Sequence, residues 1–423
     1  MKKGFIYIIV STTIIACKKP NVIEVKPYDK EHADSTQVLL VKDKYPCMKL
    51  ATNNAISLPV SETESDLEEC DIRIKRHYIA LETTEECLIG TISKILSEDS
   101  CVFIFDRANN SVLRFSQKDG SFLNKIGNQG RGPGEYTELV DISLNKKNKE
   151  LCLYDQFGYK NMYFSYDGTL LREEPIYYFY NRIEFLGDYR ILHTDLNQNT
   201  QIPSICNNRL VLAEHDQTPL YVGFAFPEKL SINFHQGSKH PLITCDGDIY
   251  YNHVLSDTIW QIKEDGICEA KYIFKFPNRD NLFDERDFSE ITDDEYNDKT
   301  NSVPYYRDEC LITKNFLIAK FYKAADLLYC ISTGNYLHGK IPRMSFGIGS
   351  TLFAQFTIND SSFVEVLQPF EIIKKHQQIK NEYSDFQYDL YWKNLLTEEE
   401  RQLLSNMTEE DNPILMIMDI EPF

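Results

Sequence analysis

Four aspartates recur along this chain at almost constant spacing. Asp119, Asp167, Asp216 and Asp265 are 48, 49 and 49 residues apart, and each stands between two short apolar runs. Val112-Leu-Arg-Phe115 precedes Asp119, Met162-Tyr-Phe164 precedes Asp167, Leu210-Val-Leu212 precedes Asp216 and Ile259-Trp-Gln-Ile262 precedes Asp265. In three of the four the next residue is Gly, and Asp-Gly between alternating apolar residues is a strong hairpin signal. A second landmark keeps the same step: Val102-Phe-Ile-Phe-Asp106 matches Leu151-Cys-Leu-Tyr-Asp155. Units of roughly 40–50 residues made of short strands are propeller blades, whose sheets are apolar on both faces and must stack to bury them. Helical repeats do not fit, because the apolar residues alternate with period two and are interrupted by Gly, Asn and Asp.

Four units fill residues 88–276. An acidic insertion, 277–310, follows; between Arg279 and Glu309 it carries eleven Asp or Glu against four Lys or Arg. A fifth unit comprises Phe316–Phe321, Leu327–Ile331 and a Thr333-Gly-Asn335 turn. A sixth draws on Thr351–Phe356, Phe363–Val366, and strands from both ends of the chain, Ile72–Leu81 and Pro413–Ile420, which closes the ring without an open edge. The spacing of Ile372, His376, Ile379, Tyr383, Phe386 and Leu390 predicts an amphipathic helix, and Thr397–Glu400 predicts a capping box that opens a second one, giving a helical segment over 371–406. The expected fold is therefore all-β, a six-bladed β-propeller over 47–423 with a C-terminal helical hairpin packed on it.

The start of the chain has a different logic. Lys2 and Lys3 precede an apolar run, Phe5–Ile15, that matches a signal-peptide core and is too short to span a bilayer. It ends in Ile14-Ile15-Ala16-Cys17, which resembles a bacterial lipobox. The resemblance implies removal of 1–16 and acylation of Cys17, so the expected localisation is the cell envelope, with a membrane partner reached through that lipid. Residues 17–46 are polar and read as a flexible tether. The formal net charge of −19 becomes −21 when Lys2 and Lys3 leave. Such a surface repels phosphate backbones, so nucleic acid is not an expected partner. Of the eleven cysteines, ten follow Cys17; none forms a C-x-x-C pair, and several sit within strand-like runs, where a thiol packs as a small hydrophobe.

Two segments carry a family likeness: Tyr78–Ile95, and Ile126-Gly-Asn-Gln-Gly-Arg-Gly-Pro-Gly-Glu-Tyr136. With Asp155–Asp167 and the closing Glu410–Met416, they make residues 70–423 resemble the six-bladed β-propeller lipoproteins of the Bacteroides type, whose blades are similar to NHL propellers. The resemblance implies a fold and an exported lipoprotein, and it transfers no catalytic residues.

Candidate sites are few. Gly127–Gly134 is glycine-rich, but no helix or Lys-Ser/Thr follows, so it is not a phosphate-binding P-loop. It reads either as a wide turn between blades or as a binding loop at the channel mouth, with Arg131 and Glu135 as a charge pair and Tyr136 as a stacking surface for a ligand. Asp195-x-Asn197-x-Asn199 begins like a calcium loop but has Thr200 and Cys206 where Gly and Glu are needed. His235 and His240 lack a zinc-enzyme spacing, and no G-x-S-x-G elbow occurs. No catalytic residue, metal or cofactor is assigned. The expected role is binding or scaffolding of a glycan, peptide or protein; the alternative is a lyase or hydrolase at the channel mouth, which a close His–carboxylate or metal cluster there would favour.

Overall fold

A computed structural model describes residues 22–28, 38–63, 72–226, 240–253, 256–277, 303–339, 344–345, 348–349 and 354–423. Cys17, the segment 1–16 and most of the acidic insertion lie outside them. Six antiparallel sheets form the ring. Blade 1 runs Ile92–Glu98, Cys101–Asp106, Ser111–Ser116, Phe122–Lys125; blade 2 runs Leu139–Asn145, Glu150–Asp155, Lys160–Ser165, Leu170–Pro175. Blade 3 is Arg182–Leu186, Tyr189–His193, Asn208–Ala213, Pro219–Ala225, and blade 4 is Leu242–Cys245, Asp248–Tyr251, Thr258–Ile262, Ile267–Lys275. Blade 5 is Tyr305–Ile312, Phe316–Tyr322, Leu327–Cys330, Tyr336–His338. Blade 6 joins Phe356–Ile358, Ser362–Leu367 and Ile414–Ile420 to Ile74–Ala80 from the other end of the chain.

The four periodic aspartates occupy one structural position, the turn between the third and fourth strands. Each accepts a hydrogen bond from the backbone N–H two residues on: Ser121 at 3.2 Å, Thr169 at 3.1 Å, Thr218 at 2.9 Å and Ile267 at 3.1 Å. The next residue has positive φ in every case, at Gly120, Gly168, Gln217 and Gly266. A side chain at Gly120 would strike the Ala80 carbonyl oxygen at 1.9 Å, because the turn seats on the outer strand of the preceding blade. Gln217 meets the same demand differently: its amide reaches back to the Pro175 carbonyl at 2.7 Å. In blade 5 Thr333 takes the aspartate's place, with its Oγ1 accepting from Asn335 N–H at 3.2 Å.

Second strands such as Cys101–Asp106 and Glu150–Asp155 are buried along their whole length, since a blade is covered on both faces. The buried apolar residues fall into six groups, one at each blade junction; Phe103, Leu151 and Phe164, for example, fill the gap between blades 1 and 2, and Ile79, Val102 and Leu415 the gap where the ring closes. All nine described cysteines are free thiols, most of them core residues. Asp106 and Asp155, the second periodic landmark, are fully buried. Asp155 accepts from the N–H groups of Thr137, Glu138 and Gly158 at 2.7, 3.1 and 2.9 Å, and Asp106 from those of Gly90 and Thr91, both at 2.8 Å. These carboxylates knot the connector entering a blade to that blade's own second strand.

Two expectations change in detail. Of the tether expected over 17–46, residues 22–28 and 38–46 pack on the propeller: Val22–Val25 pairs with Leu39–Lys42, and Val25, Leu39, Val41 and Tyr45 are buried against blades 2 and 3. The segment then follows the rim, where Lys49–Ala51 and Ile56–Pro59 pair in parallel with the fourth strand of blade 4. The predicted helical stripe is also interrupted. Helix α1, Pro369–Glu382, stops because Ser384 forms a capping box with Gln387 and restarts the chain as α2, Asp385–Leu390. Tyr383, Phe386 and Leu390 are consequently exposed, Phe386 at 77%. The second box is as expected: Thr397 caps α3, Glu398–Asn406, and Glu400 reaches back to it. Glu400 also accepts the Tyr78 hydroxyl at 2.5 Å, fastening the helical segment to blade 6.

Candidate functional site: the channel mouth

First strands from all six blades face the axis, because each supplies lining to a common set of cavities. On the face of the first hairpin turns lies a cavity of about 230 Å³, bordered by Asn145, Gly187, Gly247 and Asn359. On the opposite face, where the inter-blade connectors arrive, two adjoining cavities of about 600 and 540 Å³ share Ser93, Arg182 and His240. This wider face is the channel mouth.

Between the two faces sits a three-blade ion cluster. Lys94 Nζ, on the first strand of blade 1, donates to Asp141 Oδ1 of blade 2 at 3.0 Å and to Glu184 Oε1 of blade 3 at 2.8 Å. Ile183 N–H donates to the other oxygen of Asp141 at 3.0 Å, and Ser143 Oγ to the other oxygen of Glu184 at 2.7 Å. Burial opposes the charge on Lys94, yet Asp141 and Glu184 outweigh it and raise the ammonium above its ordinary value. Lys94 is therefore a fixed cation, unsuited to act as a nucleophile. β-Bulges at Ser93 and at Val140 set Lys94 and Asp141 at matching positions of their blades.

The walls of the mouth are charged, and their charges are mostly matched. Glu309 and Lys320 pair at 3.0 Å, Arg107 and Glu138 approach to 3.9 Å, and Asp141 is held by Lys94. Arg182 differs. Its Nη1 donates to the Asn181 carbonyl at 2.8 Å, and no carboxylate pairs with it among the described residues. Behind it, His193 faces Arg182 across the first two strands of blade 3. Burial, reinforced by Arg182, Arg209 and His253, pushes His193 well below the usual histidine range. His240 lines all three cavities, with its ring edge-on to Phe356 at 5.9 Å. Among the described residues no group of three or more His, Cys, Asp or Glu is arranged to hold a metal ion.

The glycine-rich loop lies elsewhere. None of Arg131, Glu135 and Tyr136 lines these three cavities. The loop rests on the outer rim, where Gly134 N–H donates to Glu173 of blade 2's fourth strand at 2.7 Å. Glu135 turns inward on its own loop and accepts from Gly132 N–H at 2.8 Å, so it does not pair with Arg131, which is exposed. Tyr136 is fully buried in the junction of blades 1 and 2 and offers no stacking surface. Only the connector's inner end, Glu138, reaches the mouth. In the Asp195–Asn199 run, Asn199 bonds both backbone groups of Phe179 and Asp195 accepts from Asn181, so these oxygens and amides hold a turn. His235 lies outside the described residues. Sequence reasoning passed over Lys94, Asp141, Arg182 and Glu184. Their one visible signal is a charge recurring inside otherwise apolar first strands at about the blade period.

A family model described as a domain of unknown function, DUF4934, matches residues 56–419. The chain belongs to the DUF4934 family. No curated protein matches it. Among solved structures it is similar to a Bacteroides fragilis protein described as exported, with TM-score 0.67 and 16% identity over 87% of this chain and 100% of that one. It is also similar to a DUF4221 family member from Bacteroides vulgatus, with TM-score 0.44 and 8% identity over 83% of this chain and 99% of that one. The first of these carries the propeller fold and, at that identity, the fold alone.

Proposed function

We propose that this chain is an exported, lipid-anchored propeller of NHL-like build that binds a ligand at the channel mouth and does not catalyse a reaction. The observation that carries the reading is the mouth itself: two adjoining cavities of about 600 and 540 Å³, within the size range of small-molecule sites, with polar groups converging from several blades. The described carboxylates and the lysines there are largely engaged with one another, which suits a preformed recognition surface better than a proton-transfer pair. The lipobox-like Ala16-Cys17 and the exported description of the Bacteroides fragilis protein support placement in the cell envelope. The binding reading is tested by filling the mouth. Ser93 lines both cavities, so Ser93→Trp should abolish binding of whichever glycan or peptide raises the melting temperature in a screen; unchanged binding places the site elsewhere. The anchoring reading is tested by Cys17→Ser, which should move the protein from the membrane to the soluble fraction.

A further inference from the structure

The charge pattern of the mouth narrows the ligand. Glu309 and Asp141 each have a cation within 3.0 Å, and Lys94 and Lys320 each have a carboxylate. Arg182 is the guanidinium in this wall that lacks one among the described residues, and it lies where the two larger cavities meet. One of its five N–H groups is used, by the Asn181 carbonyl. Lys94 occupies both nearby carboxylates, Asp141 and Glu184, so the remaining guanidinium N–H groups of Arg182 bond no carboxylate among the described residues, and the planar fork matches an incoming carboxylate through two parallel hydrogen bonds. The larger cavity is also lined by the neutral donors and acceptors Ser93, Gln355 and Gln368, with Phe356 as an apolar wall and the exposed carboxylate of Glu371 at the start of helix α1.

We propose that the mouth takes a small ligand bearing a carboxylate, with that carboxylate seated on Arg182. This rests on the channel-mouth reading above. Sugar acids and free peptide C-termini share the chemistry, and the experiment separates them. The full chain is titrated calorimetrically with trigalacturonate and its neutral trisaccharide counterpart, and with short peptides whose C-termini are free or amidated. The acidic member of one pair should bind and its neutral partner should not. Arg182→Gln should weaken that binding about ten- to a hundred-fold, with Arg182→Lys recovering part of it, since an ammonium holds charge without the two-point fork. Melting curves of both variants confirm that the fold persists. Neutral and acidic members binding alike, with Arg182→Gln unchanged and Ser93→Trp inactive, overturns the carboxylate inference and leaves the mouth as the site. Binding that survives Ser93→Trp overturns both. No binding by any acidic member at millimolar concentration also counts against the inference.

Discussion

The glycine-rich connector 127–136 and the channel mouth both link neighbouring blades, but they are assembled differently. The connector is local. Its shape comes from its own backbone, from Glu135 accepting from Gly132 N–H three residues back, and from Tyr136 dropping into the nearest junction. The mouth is collective. Lys94, Asp141 and Glu184 come from three blades and stand 47 and 43 residues apart, and Arg182 lies beside them with no carboxylate paired to it among the described residues. A conspicuous motif here marks a turn, whereas the cavity is made of single residues, none of which stands out in its own stretch of chain.

That contrast can be broken most severely at the ion cluster. Lys94→Met leaves two largely buried carboxylates facing each other and should cost about 3–5 kcal/mol at neutral pH. Urea unfolding checks this, together with Lys94→Arg, which keeps a cation between the two carboxylates and should recover part of the loss; an equal deficit in both variants would assign the loss to packing. Tyr136→Ala should cost a similar or slightly smaller amount, about 3–4 kcal/mol, by opening a cavity in the junction. Its hydroxyl is buried without a partner among the described residues, so Tyr136→Phe should be neutral or slightly stabilising. A marked loss on Tyr136→Phe would show that the hydroxyl is used.

The wall behind the mouth should give a smaller, pH-dependent effect. His193 is depressed in the folded state, so the unfolded chain binds its proton first as pH falls below about 6.5. Its stabilising contribution is present above that pH and should decline by about 1 kcal/mol on going to pH 5.5. His193→Asn should flatten that part of the stability–pH curve, and an unchanged slope would exclude His193 as its source. The smallest effect is expected on the connector's surface. Arg131→Ala should change stability by less than about 0.5 kcal/mol and leave binding at the mouth untouched; reduced affinity in that variant would restore the loop as a binding element.

The propeller was legible because its repeat is written in turn chemistry. An aspartate that bonds the N–H two residues ahead, followed by a residue with positive φ, needs only neighbours in the chain, and it recurs between the third and fourth strands of blades 1 to 4. Thr397 and Glu400 were legible for the same reason, while Ser384, capping with Gln387, broke a helix whose apolar spacing runs straight through it. The packing of residues 22–28 and 38–46, the burial of Tyr136 and the exposure of Phe386 depend on which blade each segment meets. So does the mouth. The amino-acid sequence by itself determined that there are blades, roughly how many, and where their turns fall, since those follow from local hydrogen bonding and period-two burial. Only the closed ring decided which charges meet at the axis, because Lys94, Asp141, Arg182 and Glu184 become neighbours through the stacking of whole sheets, a long-range condition that no short stretch of the chain encodes.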